Sequence, residues 1–271
     1  MTKRKDQDGK DQDGLSTSAF GKYCDDVFSY SQFEELKEIL TLAVQEKSMA
    51  LVTGQAGVGK TTATAAFVND LPANRYAVIY VGQDLDGGNL ARRFAHSLGL
   101  QAQRHRSFTW LSISQHLSDN LIEQGKEIVL IVDEAHLLDN QTLENIRLLT
   151  NADFDRTSPL TVIMLGQLIL RSRLKANGFE ALNQRLRFRY ALEGLTEEET
   201  ANYIKHRLRF VGSDAGLFTA DALKYIFLAS QGIPREINNF CTQAVIKAKS
   251  ENADKIDGKL IKRVLDQREV N

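Results

Sequence analysis

Hydrophobic positions along this chain change period twice. The first thirty residues hold few of them. From Ser31 onward, Phe33, Leu36, Ile39, Leu40 and Ala43 recur at helical spacing, which predicts an amphipathic helix. Short, mostly apolar runs follow at Met49 to Thr53, Tyr76 to Val81, 127 to 133 and Leu160 to Leu165, and Arg187 to Leu192 alternates arginines with apolar residues; each is bounded by polar or turn-forming residues. Runs of that length predict strands. Between them, Thr61 to Leu71, Leu90 to Leu98, Trp110 to Gln124 and Asn140 to Leu149 carry helical periodicity. Strands alternating with helices imply a parallel sheet covered on both faces.

Past Leu192 the strand signal stops. Thr196 to Val211 opens with TEEE, a capping box in which Thr196 and Glu199 satisfy free amide groups, and puts Ile204, Leu208 and Val211 on one face. Thr219 to Ser230, Pro234 to Ser250 and Asp257 to Gln267 complete a helical set. The expected organisation is a flexible N-terminal tail over 1–25, an α/β nucleotide-binding domain over 26–192 and a small all-α lid over 193–271. The tail contains KDQDG twice, at 5–9 and 10–14, and too few apolar groups to fold alone.

Composition narrows the class without choosing a partner. At 271 residues and 42% hydrophobic content the chain buries a substantial core, and its net charge of −1 neither demands nor excludes a polyanion. Two cysteines, Cys24 and Cys241, are far apart and lack metal-ligand spacing, which fits a reducing compartment. No apolar run reaches the length of a membrane span and the N-terminus is hydrophilic, so the expectation is a cytoplasmic protein without a membrane partner.

Two stretches carry chemistry. GQAGVGKT, Gly54 to Thr61, matches the phosphate-binding loop pattern in full and sits between a predicted strand and a predicted helix. In that arrangement the backbone of Gly54, Gln55, Ala56, Gly57, Val58, Gly59, Lys60, Thr61 and Thr62 wraps phosphate oxygens, and the helix N-terminus adds a favourable dipole. Lys60 supplies a mobile cation, and Thr61 offers a hydroxyl to Mg²⁺, which prefers oxygen ligands. The second stretch is the apolar run Ile128 to Val132 ending in Asp133 and Glu134. Ligands in open α/β sheets sit at the carboxyl ends of strands, which places both carboxylates beside the phosphates. Asp133 is assigned to the Mg²⁺ shell and Glu134 to the attacking water, so ATP and Mg²⁺ are the expected cofactors and ATP hydrolysis the expected reaction. His136 completes the string DEAH, but no other helicase motif is evident, and a helix-start or packing role is the simpler reading.

A phosphate-loop sheet domain followed by a helical lid resembles the AAA+ ATPases. That resemblance implies further roles. The fourth strand ends in Gly166-Gln167, where such proteins place a polar sensor of the γ-phosphate; Gln167 is the candidate, with an ordinary loop residue as the alternative. NQRLRFRY, Asn183 to Tyr190, stands where a subunit presents an arginine finger to its neighbour's nucleotide, and Arg185 is the candidate, with Arg187 and Arg189 behind it. Alternating arginines on a strand also face solvent or form ion pairs. GIPRE, Gly232 to Glu236, matches the second-sensor motif and makes Arg235 a γ-phosphate contact. A finger supplied in trans implies a homo-oligomer, as a ring or helical filament.

The wording IVDEAHLLDNQTLENIRLLTNADFD, ALNQRLRFRY, LTEEETANYIKHRL and GIPREINN is similar to the ExeA-like ATPases. That group includes secretin-assembly proteins and short ATPases encoded beside transposases. The former carry a membrane segment and a peptidoglycan-binding region; their absence favours the transposition-associated members, related in role to TnsC, TniB, MuB and IstB. The resemblance then implies an ATP-bound oligomer on double-stranded DNA that recruits a transposase, with a target-selection protein as a further partner. Candidate phosphate contacts are Arg92 and Arg93, and the loop Arg104, His105, Arg106 and Ser107, for which solvated surface charge is the competing reading. Assembly of a secretion apparatus and a regulatory nucleotide switch are the alternatives. Phe28 and Tyr30 either pack on adenine or anchor the first helix.

Overall fold

The computed structural model describes residues 17–21, 27–82, 87–122, 125–151, 157–176 and 178–269. Most of the expected tail, including both KDQDG copies and Cys24, lies outside the described residues. By their contacts the residues form two compact units, one made of Ser31–Ala56 and Lys60–Leu192, the other of Glu193–Asn271 with Gly57–Gly59 and the segment up to Tyr30.

The first unit is a five-stranded parallel sheet of β1 (Met49–Thr53), β2 (Tyr76–Val81), β3 (Glu127–Val132), β4 (Leu160–Gly166) and β5 (Leu186–Ala191), in the order β2-β3-β4-β1-β5. Every residue of β1 and β4 is buried, as strands require when helices cover both faces of a parallel sheet. The outer strands differ. β5 exposes Arg187 and Arg189, charges that blunt a sheet edge against pairing with another chain. The helices are α1 (Ser31–Gln45), α2 (Lys60–Asn69), α3 (Gly87–Ser97), α4 (Arg106–Ile122), α5 (Asn140–Leu149), α6 (Leu168–Leu174) and α7 (Glu180–Arg185). Phe94, Leu90, Ile113, Leu117, Leu130, Leu143 and Ile146 are fully buried in one continuous core.

Two local features depart from the sequence pattern. α4 begins at Arg106, a turn ahead of its apolar stripe, so Arg106 and Ser107 belong to a helix and not to the preceding loop. α6 and α7 are too short to show a 3.6-residue period of their own. At the start of α5, the Asp139 carboxylate accepts from the Thr142 amide at 2.6 Å and caps the helix. Arg106 Nη1 and Nη2 donate to the two oxygens of the same carboxylate at 3.1 and 3.2 Å. The Arg106 bond, followed by those from Thr142, holds the Asp139 carboxyl well below the usual carboxylate range.

The second unit holds α8 (Glu197–Phe210), α9 (Ala220–Ser230), α10 (Pro234–Glu251) and α11 (Gly258–Glu269) around Ile204, Leu208, Ile226, Ile237 and Ile261. The capping box is present, with Glu199 N donating to Thr196 Oγ1 at 3.2 Å and Thr196 N to Glu199 Oε2 at 2.9 Å. Gly232 has φ +72°, and a β-carbon there would meet the Leu195 carbonyl oxygen at 1.9 Å, so the turn into α10 admits only glycine. Pro234 then supplies the preset φ of the first helical position.

The N-terminal segment differs from the expected tail. Residues 17–20 form a 3₁₀ turn whose Ala19 and Phe20 are buried. Phe20 sets its edge against Phe218, and the buried Arg207 guanidinium donates to the carbonyls of Ala19 and Gly21 at 2.6 and 2.7 Å. One aromatic and two carbonyls are enough to seat a short segment that has too few apolar groups to fold alone.

Replacing Asp139 by Ala removes a helix cap and an ion-pair partner together. We expect a loss of about 1–2 kcal/mol, seen as a melting temperature lower by about 2–6 °C in a scan at neutral pH. An unchanged melting temperature would show that α5 does not need this cap.

Candidate nucleotide site

The site is built at the carboxyl ends of β1 and β3. Gly54 N donates to Gly166 O at 3.2 Å, which ties the start of the loop to β4, and the chain then turns through Gly57 at φ +83° and Gly59 at φ +107° into α2. Those two positions need glycine, because a β-carbon strains either conformation. Lys60 is 6% exposed and its Nζ donates to the carbonyls of Gly54 and Gln55, each at 2.9 Å. A buried ammonium held by neutral carbonyls keeps a strong preference for an anion. Thr62 follows, exposed, on the first turn of α2.

β3 delivers the carboxylates. Asp133 is 4% exposed, and among the described residues its carboxylate is met by donors: Thr61 Oγ1 at 2.6 Å and Tyr80 Oη at 2.9 Å reach its Oδ2, while Glu134 N reaches Oδ1 at 2.8 Å. Glu134 is in the left-handed region at φ 50°, ψ 33°, with its side chain 43% exposed. A non-glycine residue held there stores strain of about 1–3 kcal/mol, and such positions cluster at functional sites.

Tyr80 has no counterpart in the motif pattern. It is the penultimate residue of an outer strand, and its side chain passes so close that a β-carbon on Gly82 would sit 2.3 Å from its hydroxyl. Partial burial, then the bond to Asp133, pushes its phenol up to about 12. In sequence it is one more apolar-run aromatic; only the β2·β3 pairing brings it to Asp133.

The donor set fits a magnesium ion. Thr61 and Asp133 are hard oxygen donors in direct contact, and Mg²⁺ needs only one or two protein oxygens when phosphates and waters fill the rest of its shell. Among the described residues no group of three or more His, Cys, Asp or Glu offers a purely protein-built metal cage.

Comparison with known proteins agrees with this geometry. Residues 43–174 match the AAA domain family AAA_22. Over 208 residues, 76% of this chain, the sequence is 33% identical to general secretion pathway protein A of Aeromonas hydrophila. The match spans only 38% of that protein's length. Among solved structures, Cdc6p from Pyrobaculum aerophilum superposes with a TM-score of 0.68 at 17% identity, covering 89% of this chain and 68% of that one. ORC1 of Aeropyrum pernix, solved in complex with DNA, gives 0.70 at 13% identity over 93% of this chain and 69% of that one. The fold is that of an AAA+ P-loop NTPase.

The residues expected to make this AAA+ fold a working ATPase fall into three groups. Gln167 caps α6 from extended backbone, half-buried and without a side-chain capping bond. Of the three arginines, Arg187 is paired with Glu46 at 2.8 Å, and Arg189 donates to the Asn183 carbonyl at 2.7 Å. Arg185, half-buried at the end of α7, donates to Asn151 at 2.7 Å; burial, then the nearby Arg147, lower its guanidinium pKa. In the helical unit, Arg235 N donates to the Gly57 carbonyl at 3.3 Å, and a β-carbon on Gly57 would strike Arg235 Cβ at 2.7 Å.

The candidate DNA contacts separate. Arg92 and Arg93 on α3, Arg104 ahead of α4 and Ser107 within it are exposed. Arg106 is a correction: its guanidinium is committed to Asp139 and Thr142, because a fixed carboxylate at the α5 cap is a nearer partner than solvent. Phe28 and Tyr30 stack at 6.1 Å, and Phe28 sets its edge on Tyr203, which places them as aromatics against the helical core. Burial raises the Tyr30 phenol to about 12.

Lys60→Ala removes the one buried cation of the loop. Nucleotide affinity, measured by titration calorimetry, is expected to fall by about 100-fold or more, since charge-assisted bonds to phosphate contribute about 1.5–3 kcal/mol each; undiminished affinity would dissociate the loop from nucleotide.

A Tyr80→Phe variant tests the contact to Asp133. Because the folded phenol titrates near 12 and the unfolded one near 10, its contribution is fully present below pH 10 and is lost as the pH rises through 12. Melting temperatures followed from pH 9 to 12 should fall less steeply in Tyr80→Phe than in the natural chain. Parallel curves would refute the raised phenol.

Proposed function

We propose that the chain is a Mg²⁺-dependent ATPase that binds double-stranded DNA as an ATP-bound homo-oligomer and regulates DNA transposition, recruiting a transposase and resetting on hydrolysis. The ATPase part of this reading is supported by one arrangement: Lys60 held to the phosphate-binding loop, and Thr61 bonded to Asp133 beside Glu134. Lys60 neutralises the terminal phosphates. Thr61 and Asp133 would hold Mg²⁺, whose chemistry is to screen charge on the phosphate oxygens. The partly exposed Glu134 carboxylate accepts a proton from water as its oxygen bonds to the γ-phosphorus and the bridging bond to the β-phosphate breaks, releasing ADP and phosphate. Gln167 and Arg235 act as the γ-phosphate sensors. Arg185 serves a neighbouring subunit as the finger, with Arg187 and Arg189 behind it.

DNA as the partner is supported by the exposed Arg92, Arg93 and Arg104 and by the likeness to an ORC1 fold solved with DNA bound. Contacts of this kind are salt-sensitive and largely independent of sequence. Among the described residues no helix is long and apolar enough to cross a membrane, which is compatible with the proposed cytoplasmic location. A second reading, assembly of a secretion apparatus, is favoured by the 33% identity to general secretion pathway protein A.

The two readings separate in one experiment. Purified protein with a non-hydrolysable ATP analogue is imaged by negative-stain microscopy with and without duplex DNA. We expect rings or filaments that require both. Assemblies indifferent to DNA would overturn the DNA reading and favour a protein partner.

A further inference from the structure

His136 lies two residues beyond Glu134, in the 3₁₀ turn Ala135–Leu137. Its side chain is 11% exposed, and among the described residues its buried Nδ1 has no hydrogen-bond partner. The group within reach of that nitrogen is Glu134 Oε2, at 3.4 Å, outside hydrogen-bond alignment. Leaving a buried ring nitrogen unpaired is costly, so a small rotation of the Glu134 side chain that closes the bond is favoured.

The backbone of the turn is held by other means. Leu137 N donates to the Glu134 carbonyl at 2.9 Å. Arg173 from α6 donates to the Leu138 carbonyl at 2.6 Å, to that of His136 at 3.4 Å, and to the Asn140 side chain. Behind the turn stands Gly166, where a β-carbon would lie 3.6 Å from His136 N and 2.8 Å from the Leu170 side chain. Among the described residues these contacts hold the turn's backbone without the imidazole.

We infer that His136 is a positioning residue for Glu134: its Nδ1–H donates to one carboxylate oxygen and leaves the other aimed at water. The inference rests on the ATPase reading of Glu134. A glutamate side chain has three rotatable bonds, and one oriented by a fixed donor spends less time away from the reacting geometry. The strained backbone of Glu134 has the same effect, since it fixes where the side chain starts. Only the side-chain end is left to be set, and His136 sets it.

The test is steady-state hydrolysis of ATP with Mg²⁺ by the natural chain and by Glu134→Gln, His136→Ala and His136→Asn, with melting temperatures recorded for all four. Asparagine places an amide N–H close to where Nδ1 stands, without the ring. We expect His136→Ala to lower kcat about tenfold or more with KM within about twofold of the natural value, and His136→Asn to recover most of the loss. Unchanged kcat in His136→Ala would overturn the inference, as would equal losses in Ala and Asn, or a rise in KM matching the fall in kcat. Failure of the underlying reading looks different: the natural chain would not hydrolyse ATP, or Glu134→Gln would turn over normally.

Discussion

A carboxylate buried at the carboxyl end of a parallel sheet holds this site together. Asp133 is almost wholly out of water, and a charge there persists only if donors surround it. Among the described residues three do: the Thr61 hydroxyl from α2, the Tyr80 phenol from β2 and the amide of Glu134, the next residue in the chain. The phosphate loop, the outer strand and the acidic strand thus meet at one atom pair. Charge-assisted bonds of about 1.5–3 kcal/mol each offset the desolvation, and they also fix the helix that begins at Lys60.

From that anchor the chain turns sharply. Asp133 accepts the Glu134 amide, Glu134 takes left-handed backbone, and the turn that follows is clamped by Arg173 and backed by Gly166. Strain at Glu134 is tolerated because its surroundings over-determine it. The same crowding explains why β4 ends in glycine. Its carbonyl also receives the Gly54 amide, so one residue serves both the phosphate loop and the acidic turn.

Charged side chains divide by what stands near them. Arg106, Arg173 and Arg207 are spent inside their own units on a helix cap, on carbonyls and on the N-terminal segment. Arg92 and Arg104 remain exposed, and so carry the DNA proposal where Arg106 does not. Arg185 lies between these cases, held by Asn151 yet partly desolvated beside Arg147.

The sequence determined the strands, most helices and the loop, because an apolar run, a capping box and a glycine-rich turn are local signals read over a few residues. Met49–Thr53, Tyr76–Val81 and Asn140–Leu149 stand where their patterns put them. The placing of Lys60, Thr61 and Asp133 at the carboxyl ends of β1 and β3 was legible for the same reason, since each sits in a short local motif. Tyr80 was not, since its partner is 53 residues away and only strand pairing brings them together. Nor was the fate of Arg106, which depends on α4 meeting the cap of α5, or the seating of Phe20 among helices some two hundred residues later. Local order follows from spacing. Which polar group satisfies which other is settled by packing, because burial makes each unpaired donor or charge costly and the fold decides who is near enough to answer it.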